Sequence, residues 1–264
     1  MLGSIIGDIV GSTYEFQNIK TKQFPFFTEG SDFTDDSVLS IAIAQWLLDG
    51  KDPLPTRRLL DFADRYPHPM GAYGTGFSSW VERASIYGDD EPYNSCGNGS
   101  AMRVGPVGWA FDTEAEVLDA AARSARCTHS HPEGVKGAQA TALCIWMARR
   151  KATKKEIREA VEQKFGYDLH FTCNDIRDTY GWEATCQGTV PQAIVAFLDG
   201  KDFEDCVRNA ISIGGDSDTL GCITGSVAEA FYGISESIRS EALDYLTPDL
   251  KSVVREFEDR YGRG

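Results

Sequence analysis

Apolar positions recur along this chain mostly with the 3.6-residue period of helices, and only rarely with the alternation of strands. The segment SVLSIAIAQWLLDG (37–50) is apolar on nearly every side, which predicts a buried helix closed by Gly50. TEAEVLDAAARSAR begins with the capping pair Thr113 and Glu116, and TKKEIREAVEQKFG repeats the device with Thr153 and Glu156 before closing at Gly166. PQAIVAFLDG predicts a helix that starts at Pro191 and stops at Gly200. TPDLKSVVREFEDRYG predicts a last helix with Thr247 as cap and Pro248 in its first turn. Strand signals are few; YDLHF (167–171) alternates and is the best candidate.

Two further segments share a glycine pattern. Gly3, Gly7 and Gly11 recur every four residues, and in DTLGCITGSVAEAFYG the residues Gly221, Gly225 and Ala228 fall on one helical face. Two faces without side chains let two helix backbones approach closely, so these helices are expected to pack against each other. There is no internal repeat, low-complexity tract or linker. The expected fold is all-α, one compact multi-helix domain spanning 1–264.

Composition adds exclusions. Of the 264 residues 42% are hydrophobic and 25% charged, ordinary for a globular chain with a sizeable core. The formal net charge of −14 argues against general nucleic-acid or anionic-membrane binding. The opening MLGSIIGDIVGSTYEF has no basic stretch before its apolar run, and that run is short and contains Asp8, so neither a secretory signal nor a membrane span is expected. Seven scattered cysteines without a CxxC pair suggest reduced thiols packed as small apolar groups in a cytoplasmic protein.

The chemistry lies in two acidic clusters. FTDDSVL offers Thr34, Asp35 and Asp36, and GGDSDTLG offers Asp216, Asp218 and Thr219, each just before an apolar helix. Either cluster alone is explained by helix capping, but a cap needs one oxygen and each cluster supplies three. If the two helices pack side by side, four carboxylates converge, an arrangement that cations such as Mg²⁺ or Mn²⁺ would neutralise. EF-hand, Walker A and GxGxxG patterns are absent. CTHSH (Cys127, His129, His131) lacks a second ligand pair at zinc spacing and reads as a helix end or a substrate contact. In YNSCGNGSAMR, Gly97 and Gly99 permit a tight turn with free backbone N–H groups, joined by Asn98 and Ser100, and GAYGTGF is a second glycine loop with Tyr73 and Phe77 available for stacking.

The ordered set GDIVGSTYEF, FTDDS, YGTGF, GNGSAMRVGPVG, THSHPEGVKGAQA and IGGDSDTLG resembles the ADP-ribosylglycohydrolase family, from about residue 3 to residue 233. The resemblance implies an all-α fold with a two-metal cleft. The metal ligands it implies are Thr34, Asp35, Asp36, Asp216, Asp218 and Thr219, holding two Mg²⁺ or Mn²⁺ ions. It further implies ADP-ribose bound through Gly74, Gly76, Ser95, Gly97, Asn98, Gly99, Ser100 and His129, and an ADP-ribosylated acceptor, a protein side chain or a small molecule, as the substrate. Glu15 matches a glutamate that some members carry on a mobile flap, so Glu15, Asp35 and Asp216 are the expected catalytic carboxylates. Cys96 stands where many relatives carry tyrosine, and 165–186 matches no strict motif, which points to that segment as the acceptor side. The leading expectation is a metal-dependent hydrolase of the 1″ bond to ADP-ribose. The alternatives are a two-metal phosphohydrolase of an ADP-ribose-like diphosphate and a non-catalytic ADP-ribose-binding protein.

Overall fold

The computed structural model describes residues 1–50 and 53–262. Its helices are α1 (Leu2–Ser12), α2 (Asp35–Asp49), α3 (Thr56–Arg65), α4 (Thr75–Tyr87), α5 (Gly99–Met102), α6 (Val107–Ala110), α7 (Glu114–Arg126) and α8 (Pro132–Arg149). They continue with α9 (Lys154–Phe165), α10 (Cys173–Ile176), α11 (Cys186–Asp199), α12 (Phe203–Ser212), α13 (Ser217–Tyr232), α14 (Glu236–Tyr245) and α15 (Pro248–Tyr261).

The helix ends follow local chemistry. Thr113 and Thr153 both form complete capping boxes with Glu116 and Glu156. Gly50 and Gly166 close α2 and α9 at φ +64° and +69°, a conformation glycine reaches without strain. Thr247 precedes α15, but its hydroxyl bonds Tyr66 and Asp249 instead of capping.

The seam between α1 and α13 organises the interior. A Cβ added to Gly7 would lie 1.9 Å from the Gly221 carbonyl oxygen, and one added to Gly3 would lie 2.2 Å from that of Gly225. The two backbones therefore touch directly, as the paired glycine faces predict. α8, α11 and α12 pack around α13, while α2 packs against α1, α3 and α15. One apolar core runs through these elements.

Two expectations are corrected. Residues 167–171 form no strand: Tyr167 and Leu169 point inward and Asp168 and His170 outward, but no neighbouring chain offers a ladder. The alternation reports one-sided burial of an extended segment, and the described residues contain only the isolated bridges Thr34–Met70 and Gly97–Thr185. Second, α11 starts at Cys186, not Pro191, because Thr185 accepts the Gly188 N–H and caps it. Pro191 thus sits inside the helix.

The seam gives a stability test. Gly7→Ala and Gly221→Ala place a methyl inside backbone van der Waals contact, and each should destabilise by about 3 kcal/mol or more in urea unfolding. Gly181→Ala, where an added Cβ meets nothing within 4 Å, should be neutral or slightly stabilising. Equal midpoints for all three variants would refute backbone contact at the seam.

Candidate active site

Because α1 and α13 touch, Asp8 on α1 and Asp218 on α13 face the start of α2 together. Asp8 is fully buried. Its Oδ2 accepts the Thr34 and Ser37 N–H groups at 3.0 Å each and the Ser37 hydroxyl, and its Oδ1 accepts the Thr34 hydroxyl at 2.7 Å. A carboxylate from one helix thereby holds the N-terminal turn of another. Thr34 completes the cap by accepting the Asp36 N–H at 3.1 Å, which leaves one lone pair on its oxygen.

The two acidic clusters do converge. Asp36 Oδ2 accepts the Thr219 hydroxyl at 3.3 Å across α2 and α13, while Asp36 Oδ1 is buried with no partner. Asp216, at the N-cap of α13, does not cap with its side chain; its Oδ2 accepts the Asn98 amide at 2.8 Å. Glu15 arrives from the loop after α1, and oxygens of Glu15, Asp216 and Asp218 lie within 4.8 Å of one another. Gly71, at φ +78°, makes room for Glu15: a Cβ there would sit 2.8 Å from Glu15 Oε2.

Burial raises all these carboxyls, and repulsion by neighbouring carboxylates adds to it at every one but Asp218. Burial, then Asp218, push Asp8 up to about 7; burial, then Asp218 and Asp8, push Glu15 up to about 8. Asp35, Asp36, Asp216 and Asp218 are raised too, each chiefly by burial. An orphaned buried carboxylate oxygen, oxygen-only donors and carboxyls that resist ionising together form a donor set that fits hard divalent cations.

These groups open into a cleft of about 390 Å³. Glu15, Asp35, Asp36, Asp216, Asp218 and Thr219 line it beside Gly74, Gly76, Ser95, Gly97, Asn98, Gly99 and His129. Tyr73, Phe77 and Tyr93 form its aromatic wall. Phe16 and Trp182 stack at its mouth, centroids 5.9 Å apart at 18°, and both are exposed. Trp182 belongs to the 165–186 segment that matched no motif.

Three expected side chains behave differently. Thr34 is fully buried, gives its hydroxyl proton to Asp8 and does not line the cleft. Ser100 is fully buried, donates to the Gly134 carbonyl at 2.7 Å and does not line the cleft. The Asn98 side-chain amide is engaged with Asp216 and Thr189, and the Gly97 and Asn98 N–H groups of the turn are bonded to Ser95 Oγ and the Ala184 carbonyl. The residues of CTHSH go three ways: Cys127 is buried against Ser124, His131 caps α8, and His129 reaches the cleft. Sequence reasoning missed Asp8 as a site residue; its signal was a lone acid within an apolar glycine-faced helix.

The ADP-ribosylglycohydrolase family model matches residues 1–263. The chain belongs to the ADP-ribosylglycohydrolase family. It is 24% identical to the human ADP-ribosylhydrolase ARH3, over 89% of this chain and 85% of that protein. It is 25% identical to the ADP-ribosyl-[dinitrogen reductase] glycohydrolase of Rhodospirillum rubrum, over 89% of this chain and 85% of that protein. A solved structure described as an ADP-ribosylglycohydrolase-related protein complex superposes with a TM-score of 0.70 at 26% identity, over 98% of this chain and 97% of that one. Membership makes the protein a hydrolase of the ADP-ribosyl glycohydrolase class, and no helix among its described residues is long and apolar enough to cross a membrane.

The raised carboxyls set a direction for stability against pH. With Asp8 at about 7 and Glu15 at about 8 in the folded state, and both near 4 when unfolded, the folded chain binds more protons between those values. Their contribution is fully present below about pH 4 and is lost as pH rises through 7 to 8. The melting temperature of chelated protein should therefore fall between pH 5 and pH 8, and added Mg²⁺ or Mn²⁺ should raise it at pH 8. A melting temperature that climbs over this interval and ignores divalent metal would contradict the assignment.

Proposed function

We propose that this ADP-ribosylglycohydrolase hydrolyses the 1″ glycosidic bond joining ADP-ribose to a protein side chain or a small molecule, and releases ADP-ribose. The observation that carries the reading is one cleft lined by the carboxylates of both acidic clusters, Thr219 and Glu15 together with two glycine loops and His129. Thr34, Asp35, Asp36, Asp216, Asp218 and Thr219 would hold two Mg²⁺ or Mn²⁺ ions, whose chemistry when bound is to polarise oxygen ligands and lower the pKa of water.

The chain's own residues divide the remaining work. Asn98 fixes the Asp216 carboxylate. Glu15 lines the cleft from the loop after α1, where its carboxyl can carry a proton to the departing acceptor atom. Asp35 and Asp216 complete the catalytic carboxylates in this reading. The turn at Gly97 and Gly99 lies beside His129 in the cleft lining, where the diphosphate would be received, and Gly74, where an added Cβ meets nothing within 4 Å, leaves space in the same lining. Trp182 and Phe16 border the acceptor side. The seven unpaired cysteines support work in a reducing compartment such as the cytoplasm.

The deciding experiment is a hydrolysis panel over Arg-, Ser-, Glu- and phosphate-linked ADP-ribose with Mg²⁺ or Mn²⁺ and full product identification. Free ADP-ribose is the expected product; AMP with ribose phosphate would mean diphosphate cleavage, and tight binding of ADP-ribose with no turnover on any linkage would mean a binding protein. Asp35→Ala and Asp216→Ala should abolish turnover. Glu15→Gln should slow it by roughly 10²- to 10⁴-fold while ADP-ribose affinity changes little, because glutamine keeps the shape but cannot give up a proton. A near-normal Glu15→Gln rate would remove Glu15 from proton transfer.

A further inference from the structure

Arg103 is a fully buried guanidinium on the wall of the cleft, and its Nε and Nη1 have no partner. Its Nη2 donates to the Ser124 carbonyl and to the Thr128 hydroxyl, each at 2.8 Å. The Thr128 hydroxyl in turn lies 2.8 Å from His129 Nδ1.

The directions of these bonds follow from chemistry. A guanidinium only donates, so the Thr128 oxygen accepts from Arg103 and has one proton to place. Two acceptors face that proton: His129 Nδ1 and the Cys127 thiol, which is a weak acceptor. Directed to Nδ1, it makes Nδ1 the acceptor, and a neutral imidazole then carries its own proton on Nε2. Burial first, and the Arg103 charge second, hold the ring neutral by pushing its pKa well below 6.5.

Nε2 faces the glycine turn. Cβ atoms added to Gly99 and Gly97 would lie 3.2 Å and 3.5 Å from it. His129 is 5% exposed and lines the cleft, and its Nε2 has no hydrogen-bond partner among the described residues. We infer that Arg103 and Thr128 are positioning residues that lock His129 as an Nε2–H donor aimed at an anionic oxygen of the substrate in the glycine turn.

This rests on the ADP-ribose reading of the cleft, in which that oxygen belongs to the diphosphate. The buried Arg103 charge favours an anion at the same place. It adds a positive charge to a lining otherwise dominated by carboxylates, which favours a ligand that carries an anionic group.

The test reads the ring directly. In ¹⁵N-labelled protein, the His129 ring signals, identified among the four histidines by their loss in His129→Asn, should show a protonated Nε2 and an unprotonated Nδ1. Thr128→Val should move both signals toward tautomer averaging and weaken ADP-ribose binding about tenfold by calorimetry, the worth of one hydrogen bond to a charged group. Thr128→Ser, which keeps the hydroxyl, should restore both. A protonated Nδ1 in the unmodified protein would overturn the inference, as would Thr128→Val with ring signals and affinity unchanged. If Thr128→Val fails to fold, the ring signals of the unmodified protein still decide. If the unmodified protein does not bind ADP-ribose, the substrate reading fails while the tautomer lock stands or falls on the ring signals.

Discussion

The backbone contact between α1 and α13 is the constraint on which the rest depends. Gly3, Gly7, Gly221 and Gly225 have no side chains to hold the helices apart, so the axes approach far closer than leucine-lined helices allow. That closeness continues to the functional end, where a Cβ on Gly11 would lie 2.5 Å from the Asp218 Cα. A wider seam would separate Asp8 from Asp218, and with Asp8 would go the turn at Thr34 that it holds. The site is thus built by helix packing, with loops supplying its walls.

The same packing creates an electrostatic conflict. Carboxyls from α1, α2, α13 and the Glu15 loop are brought out of water onto common ground, and each raises the pKa of others. Such a conflict lowers the stability of the metal-free chain, and a cation placed among these oxygens would relieve it. Asp8 differs from the rest. It has three backbone or hydroxyl donors on Oδ2 and one on Oδ1, so its work is directed at protein groups.

Much of this was legible in the sequence, for identifiable reasons. The capping boxes at Thr113 and Thr153 and the glycine stops at Gly50 and Gly166 are local devices, and local devices survive packing. The glycine faces were readable because periodicity places them without knowledge of the partner. What failed depended on tertiary surroundings. The alternation at 167–171 cannot reveal whether a second strand is present, and Pro191 could not disclose that Thr185 would start the helix earlier. Asp8 was invisible as a site residue because its meaning comes from Thr34 and Ser37, distant in sequence and adjacent in space. The Ser100 hydroxyl was unreadable for the same reason, since its acceptor lies on α8.

The loop bearing Glu15 is fastened immediately behind that residue. The Asn18 side chain bonds the Tyr14, Glu15 and Gly215 carbonyls and accepts the Gly215 N–H, and Lys20 reaches the Tyr180 and Ile213 carbonyls. The backbone on both sides of the Glu15 side chain is therefore held through one asparagine, and the turn is tied to Gly215, just before α13. A turn held that tightly has few conformations left to lose, so presenting the Glu15 carboxyl to the cleft costs little chain entropy. The exposed ring of Phe16, stacked on Trp182, joins this turn to the 165–186 segment, so the rim of the cleft is a bracket spanning two distant stretches of chain.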